Sequence, residues 1–106
     1  MAKYLFQGSY SLEGARGLQR EGGTRRRGVV EALLQSLGGR LECFYYGFGE
    51  TDLFMIADLP SNVAAASASL IVAASGAGHW RTTPLFTAEE MDQAAQSAGH
   101  YRAPGV

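Results

Sequence analysis

Two neighbouring segments, Leu41–Phe48 and Leu53–Leu59, have the length and aromatic content of β-strands. The short Gly49-Glu50-Thr51-Asp52 loop joins them, a common hairpin length. Neither alternates apolar with polar residues. Read as strands, the first places Phe44, Tyr46 and Phe48 on one face and Leu41, Cys43 and Tyr45 on the other. The second alternates Leu53, Met55 and Ala57 with Phe54 and Ile56. An antiparallel sheet with one face in water should carry polar residues at every second position. A chain of 106 residues supplies enough helix to cover only one face. The other face needs a cover from outside the chain, and a second copy is the simplest source, so a homodimer is expected.

The remaining elements follow from periodicity and punctuation. Lys3–Tyr10 reads as a strand, and Ser11 caps a short helix carrying Leu12, Ala15 and Leu18. Gly22-Gly23 interrupts it, since each glycine costs about 1 kcal/mol against alanine within a helix. Thr24 is expected to cap a second helix with Val29, Val30, Leu33, Leu34 and Leu37 on one stripe, stopped by Gly38-Gly39. Pro60 ends the third strand. Ser61-Asn62 opens an Ala/Ser helix to about Ser75, whose alanines, Ala66 and Ala73 among them, are expected to lie close on the sheet. His79–Leu85 is the fourth strand. Thr87-Ala88-Glu89-Glu90 is a capping box that opens a last helix to Ser97 or Ala98. One domain over residues 1–98 is expected, with 99–106 a patternless tail. The order β-α-β-β-α-β plus a C-terminal helix is α+β and ferredoxin-like, one antiparallel sheet with helices on one face.

Charge and cysteine content remove several classes of function. Nine Lys+Arg against ten Asp+Glu leave no general basic surface for nucleic acid or anionic membrane. The charge-free stretch Leu59–Trp80 is too rich in alanine and serine for a membrane span. No apolar run of signal-peptide length follows Met1, and a cytoplasmic protein is expected. The lone Cys43 allows no internal disulfide and reads as an inert strand thiol. No metal site or cofactor is expected.

Tyr10-Ser11-Leu12-Glu13-Gly14-Ala15-Arg16, Gly38-Gly39-Arg40-Leu41-Glu42, Gly49-Glu50-Thr51-Asp52 and Leu59-Pro60, together with the order of elements, resemble the GYD domain. The similarity runs over roughly residues 3–95; where the family's loop reads Gly-Tyr-Asp, Thr51 stands in place of the tyrosine. The resemblance implies a bacterial protein of the dimeric α+β barrel type. It implies no activity, because the family is functionally uncharacterised.

Several residues are candidates for chemistry. Glu50 and Asp52 share one tight loop: paired carboxylates can do acid–base work, and an Asp in a hairpin can equally accept backbone N–H groups and fix the turn. Five arginines at 16, 20 and 25–27 face two glutamates, Glu13 and Glu21, over residues 13–27. Three of them fall in a first helical turn, the unfavourable end of the dipole. An anion would relieve them, as would the local Arg27–Glu31 pair at i, i+4. His79 and Arg81 share one face of the fourth strand, opposite Trp80. With Tyr46 from the central strands they would make a catalytic set for a small anionic or carbonyl-containing ligand in a pocket between sheet and helices. The competing arrangement pairs Arg81 with Asp58 and leaves His79 at the surface. Two functions follow from these readings. One is a small-molecule binding or cofactor-free catalytic domain; the other is a non-catalytic dimerisation or stress-response module.

Overall fold

Alternation is clean in the first strand, β1 (Ala2–Tyr10): Tyr4, Phe6 and Gly8 are buried and the residues between them are not. The computed structural model describes residues 1–106. After β1 come α1 (Leu12–Glu21), α2 (Gly23–Ser36), β2 (Arg40–Tyr46), β3 (Leu53–Leu59), α3 (Asn62–Ala74), β4 (Gly78–Leu85) and α4 (Ala88–Ala95). The four strands form one antiparallel sheet in the order β2-β3-β1-β4. This is the α+β arrangement expected, with the first crossover divided into two helices at Gly22.

Helices α2 and α3 lie on the face that carries Tyr4 and Phe6 of β1, α2 towards β2 and α3 towards β4. Leu34 of α2 and Leu53, Ala57 and Leu59 of β3 are fully buried there. Each such leucine is worth about 1.5–3 kcal/mol of burial. The Tyr4 hydroxyl donates to Asn62 Oδ1 at 2.6 Å and ties the start of α3 to the sheet. Small side chains do bring α3 close, but they are Ala65 and Ala68; Ala66 and Ala73 point outward. The alanine-rich composition hid which stripe faces inward.

Three local readings are corrected. Helix α2 begins at Gly23, with Gly22 as its N-cap at φ +84°, and Thr24 lies within the first turn. Strand β2 ends at Tyr46, so Phe48 belongs to the loop and is fully exposed. A bulge between Leu41 and Cys43 shifts the register with β3, so Leu41 stands opposite Ala57 while Cys43 stands opposite Ile56. Leu41 therefore joins Phe44 and Tyr46 on the helix side, and the open face keeps Cys43 and Tyr45. One extra residue in a strand re-aims everything before it.

The open face is apolar at its middle and bare. Tyr45, 69% exposed, stands opposite Phe54, 37% exposed, and Leu5 and Ile56 pair in the next row on the same face. At one end Asp58 is buried between Lys3 (3.0 Å) and Arg40 (3.2 Å). The Lys3 ammonium also meets Glu42 at 2.8 Å. Hydrogen bonds from Lys3 hold the Asp58 carboxyl below the ordinary range, opposed by its burial and reinforced by Arg40. The accessible surface is 7469 Å², about 1,700 Å² more than a monomeric protein of 11.3 kDa presents. The radius of gyration, 16.8 Å, exceeds the about 13 Å of a compact chain this long. Much of that extension is α4: all residues from Phe86 onward are exposed, and the helix is held by its own capping box rather than by packing.

Candidate functional site

A cavity of about 260 Å³ opens between the sheet and helices α2 and α3. Its walls are apolar, built from Phe6, Leu53 and Met55 below and Val29, Leu33 and Val72 above. It is larger than the about 150 Å³ apolar cavity that holds benzene, and it approaches the about 300 Å³ where ligand pockets begin. No carboxylate and no imidazole lines it. Its polar lining side chains are Arg26, Ser69 and Ser75, with the Tyr10 and Trp80 rings among the aromatic ones.

Trp80 shapes one wall, and Gly8 is the reason it can. A Cβ built on Gly8 would lie 2.0 Å from Cζ3 of the indole and 2.2 Å from Cε3. The ring thus rests directly on the backbone of β1. Tyr10 meets it edge-on, with ring centroids 5.9 Å apart and planes at 85°, a favourable aromatic geometry. The Trp80 Nε1–H is buried and has no acceptor in the chain. A buried donor left unpaired costs about 1–3 kcal/mol.

Tyr46 packs the same way on a second glycine. Its ring comes within 2.8 Å of a Cβ built on Gly23, and its hydroxyl donates to the Gly23 carbonyl at 3.0 Å. This brings the start of α2, and Arg26 with it, to the Tyr10 end of the cavity. The Arg26 guanidinium is partly buried and 3.6 Å from Glu21. Burial pushes the Tyr10 phenol up to about 12, helped by the Tyr46 phenol beside it and opposed by Arg26. Burial also raises Tyr46, against the pull of Tyr10 and Arg26. Both phenols are therefore neutral at physiological pH and act as hydrogen-bonding groups.

The residues expected to share a pocket are divided by the sheet. Tyr46 stands beside the cavity on the helix side. His79 and Arg81 lie on the opposite, open face, paired with Ser9 and Gln7, and both are exposed. Strand alternation puts Trp80, not its neighbours, into the space between sheet and helices. Asp58 is engaged by Lys3 and Arg40, so it is not the partner of Arg81. The loop carboxylates separate in role. Asp52 Oδ2 accepts the Tyr10 backbone N–H at 2.9 Å, which fastens the loop to β1, while the Glu50 side chain makes no hydrogen bond and only its carbonyl is used, by Ser9. Arg27 and Glu31 form the i, i+4 pair at 3.6 Å. The sequence offered Tyr10 only as one of five tyrosines and Arg26 only as one of five clustered arginines, and Trp80 was given no role. What singles Trp80 out is its pairing with Gly8 across the sheet, a register that the structure supplies.

A four-stranded antiparallel sheet with helices on one face and a cavity beneath them defines a small α+β sandwich with an open second face. The chain belongs to the GYD domain family, whose model matches residues 4–95. Neither the curated proteins nor the solved structures gave a match. No helix is long and apolar enough to cross a membrane.

Proposed function

We propose that this domain binds a small, largely apolar molecule carrying an anionic or carbonyl oxygen, and that it works as a homodimer. The carrying observation is an apolar cavity whose one charged lining side chain is Arg26, with the Tyr10 phenol and the Trp80 indole beside it. An anionic or carbonyl oxygen on a ligand meets the Arg26 guanidinium, while the ligand's apolar body replaces water against Val29, Leu33 and Met55. Binding is favoured over catalysis because the cavity has no side chain suited to act as a base near neutral pH. His79 and Arg81 are assigned to the open face. There a second sheet would cover Leu5, Tyr45, Phe54 and Ile56, of which Tyr45 and Phe54 are exposed in the single chain.

Native mass spectrometry of the full chain, isolated without denaturation, tests the reading. The expected spectrum is a dimer retaining a small-molecule adduct, with the adduct lost from Trp80→Phe. A spectrum whose adduct is unaffected by that change moves the ligand out of this cavity. The second reading, a dimerisation module without ligand, is favoured by the bare open face. It predicts a dimer that takes up no apolar acid.

A further inference from the structure

We infer that α4 is an exchanged arm that docks on a second copy of the chain, across the arginine-bearing ends of α1 and α2 beside the cavity mouth. This rests on the homodimer proposed above and not on the ligand. Residues 86–97 hold Glu89, Glu90 and Asp92 and no lysine or arginine. Phe86 (67% exposed) and Met91 (55%) give the arm apolar anchors that are mostly uncovered. The capping box fixes the helix before it has anything to pack against. An eight-residue helix alone in water is marginal, so packing against a partner is what a stable α4 requires.

The complementary surface is on the same molecule but out of reach. Arg16 and Arg20 of α1 and Arg25 and Arg27 of α2 are exposed, and beside them Val29 and Ile71 stand half exposed at the edge of the cavity. Acidic side chains on one helix and basic side chains beside an apolar groove are the elements of helix-in-groove docking. Strand β4 delivers the arm to the wrong end for its own groove. Leu85 pairs with Lys3, whereas the arginines lie at the end marked by the Trp80–Gly8–Leu53–Tyr46 row and by the Tyr46–Gly23 bond. Between Leu85 and Trp80 lie about 17 Å of strand, and the helix layer lies above that; Phe86 and Thr87 together span about 7 Å. A second copy can bring its arginines to the arm.

Charge exchange between full-length variants tests the assignment. Glu89→Arg/Asp92→Arg reverses the arm and Arg20→Glu/Arg25→Glu reverses the face; neither set touches the cavity lining or the Glu90 cap. Sedimentation equilibrium should show self-association of each variant weakened at least tenfold. An equimolar mixture should recover it, because each arm then meets a face of opposite sign in both directions. Isotope-filtered spectra of the mixed parent should place the Met91 methyl against Val29 or Ile71 of the other copy. A parent that is monomeric throughout overturns both the dimer and the arm. A dimer whose association ignores the reversals, or whose mixture fails to recover, overturns the arm and leaves the sheet-mediated dimer standing.

Discussion

Replacing Gly8 by alanine turns the packing of Trp80 into a measurable sign. On strand propensity alone the change should stabilise the chain by about 0.5–1 kcal/mol, because glycine inside a strand loses more backbone freedom on folding than alanine does. The structure says otherwise. The new Cβ would stand 2.0 Å from Cζ3 and 2.7 Å from Cη2 of Trp80, well inside contact distance. The indole is rigid and held edge-on by Tyr10, so it must rotate off the strand or push the backbone away. Forcing a methyl into a packed site costs about 1–3 kcal/mol, which outweighs the entropic gain. The net expectation is a loss of up to about 2.5 kcal/mol, or up to about 20 °C of Tm for a domain near this size. Urea melts followed by fluorescence suit the test, since Trp80 is the only tryptophan. Near-UV circular dichroism of the Tyr10–Trp80 pair should change in the folded variant as well. A Gly8→Ala protein more stable than the parent, with an unaltered aromatic spectrum, would refute the placement of Trp80 on β1 and the cavity wall built from it.

Other changes have opposite or selective consequences. Gly28→Ala, in the exposed middle of α2 with nothing within 4 Å of the new Cβ, should stabilise by about 1 kcal/mol in a thermal melt. Asp52→Ala removes the acceptor of the Tyr10 N–H and should cost about 1–2 kcal/mol, while Glu50→Ala should leave the urea midpoint unchanged. Because folding raises the Tyr10 phenol to about 12, its contribution is complete below about pH 10, the unfolded value, and is lost as pH climbs towards 12. Alkaline unfolding of Tyr10→Phe should therefore be shallower than that of the parent across this window. For Asp58 the sign reverses: its carboxyl is lowered on folding, so its stabilisation is present above the ordinary carboxylate value and lost on acidification. Asp58→Asn should flatten the acid limb of the stability profile.

Where periodicity, glycine punctuation and capping residues act locally, the sequence was a reliable guide. Ser11, Ser61 and Thr87 cap the helices they were expected to cap, and β3 spans Leu53–Leu59 as read. The apolar open face was readable from Phe54 and Ile56. What could not be read depends on partners distant in the chain. The bulge before Cys43 exists only in the pairing of β2 with β3, so the side taken by Leu41 was assigned wrongly. Which face of β4 meets the helices was equally invisible: His79-Trp80-Arg81 offers two polar residues around one aromatic, and only the Gly8–Trp80 pairing decides that the aromatic goes inside. Tyr46 was named for the site, but its company is Tyr10, Gly23 and Arg26. Arg26 could not be picked out of a run of three arginines until Tyr46 placed the first turn of α2.

Titration of the full chain with cyclohexanecarboxylate, an apolar ring bearing one carboxylate and transparent where tryptophan emits, tests the ligand-binding reading most directly. Trp80 fluorescence is the readout and the neutral cyclohexanecarboxamide the control. The account predicts a saturable spectral change with the acid, weakened severalfold in Arg26→Gln without loss of melting temperature, and weaker binding of the amide to the parent. An emission spectrum that does not respond to either compound, or an acid response that Arg26→Gln leaves intact, would contradict it.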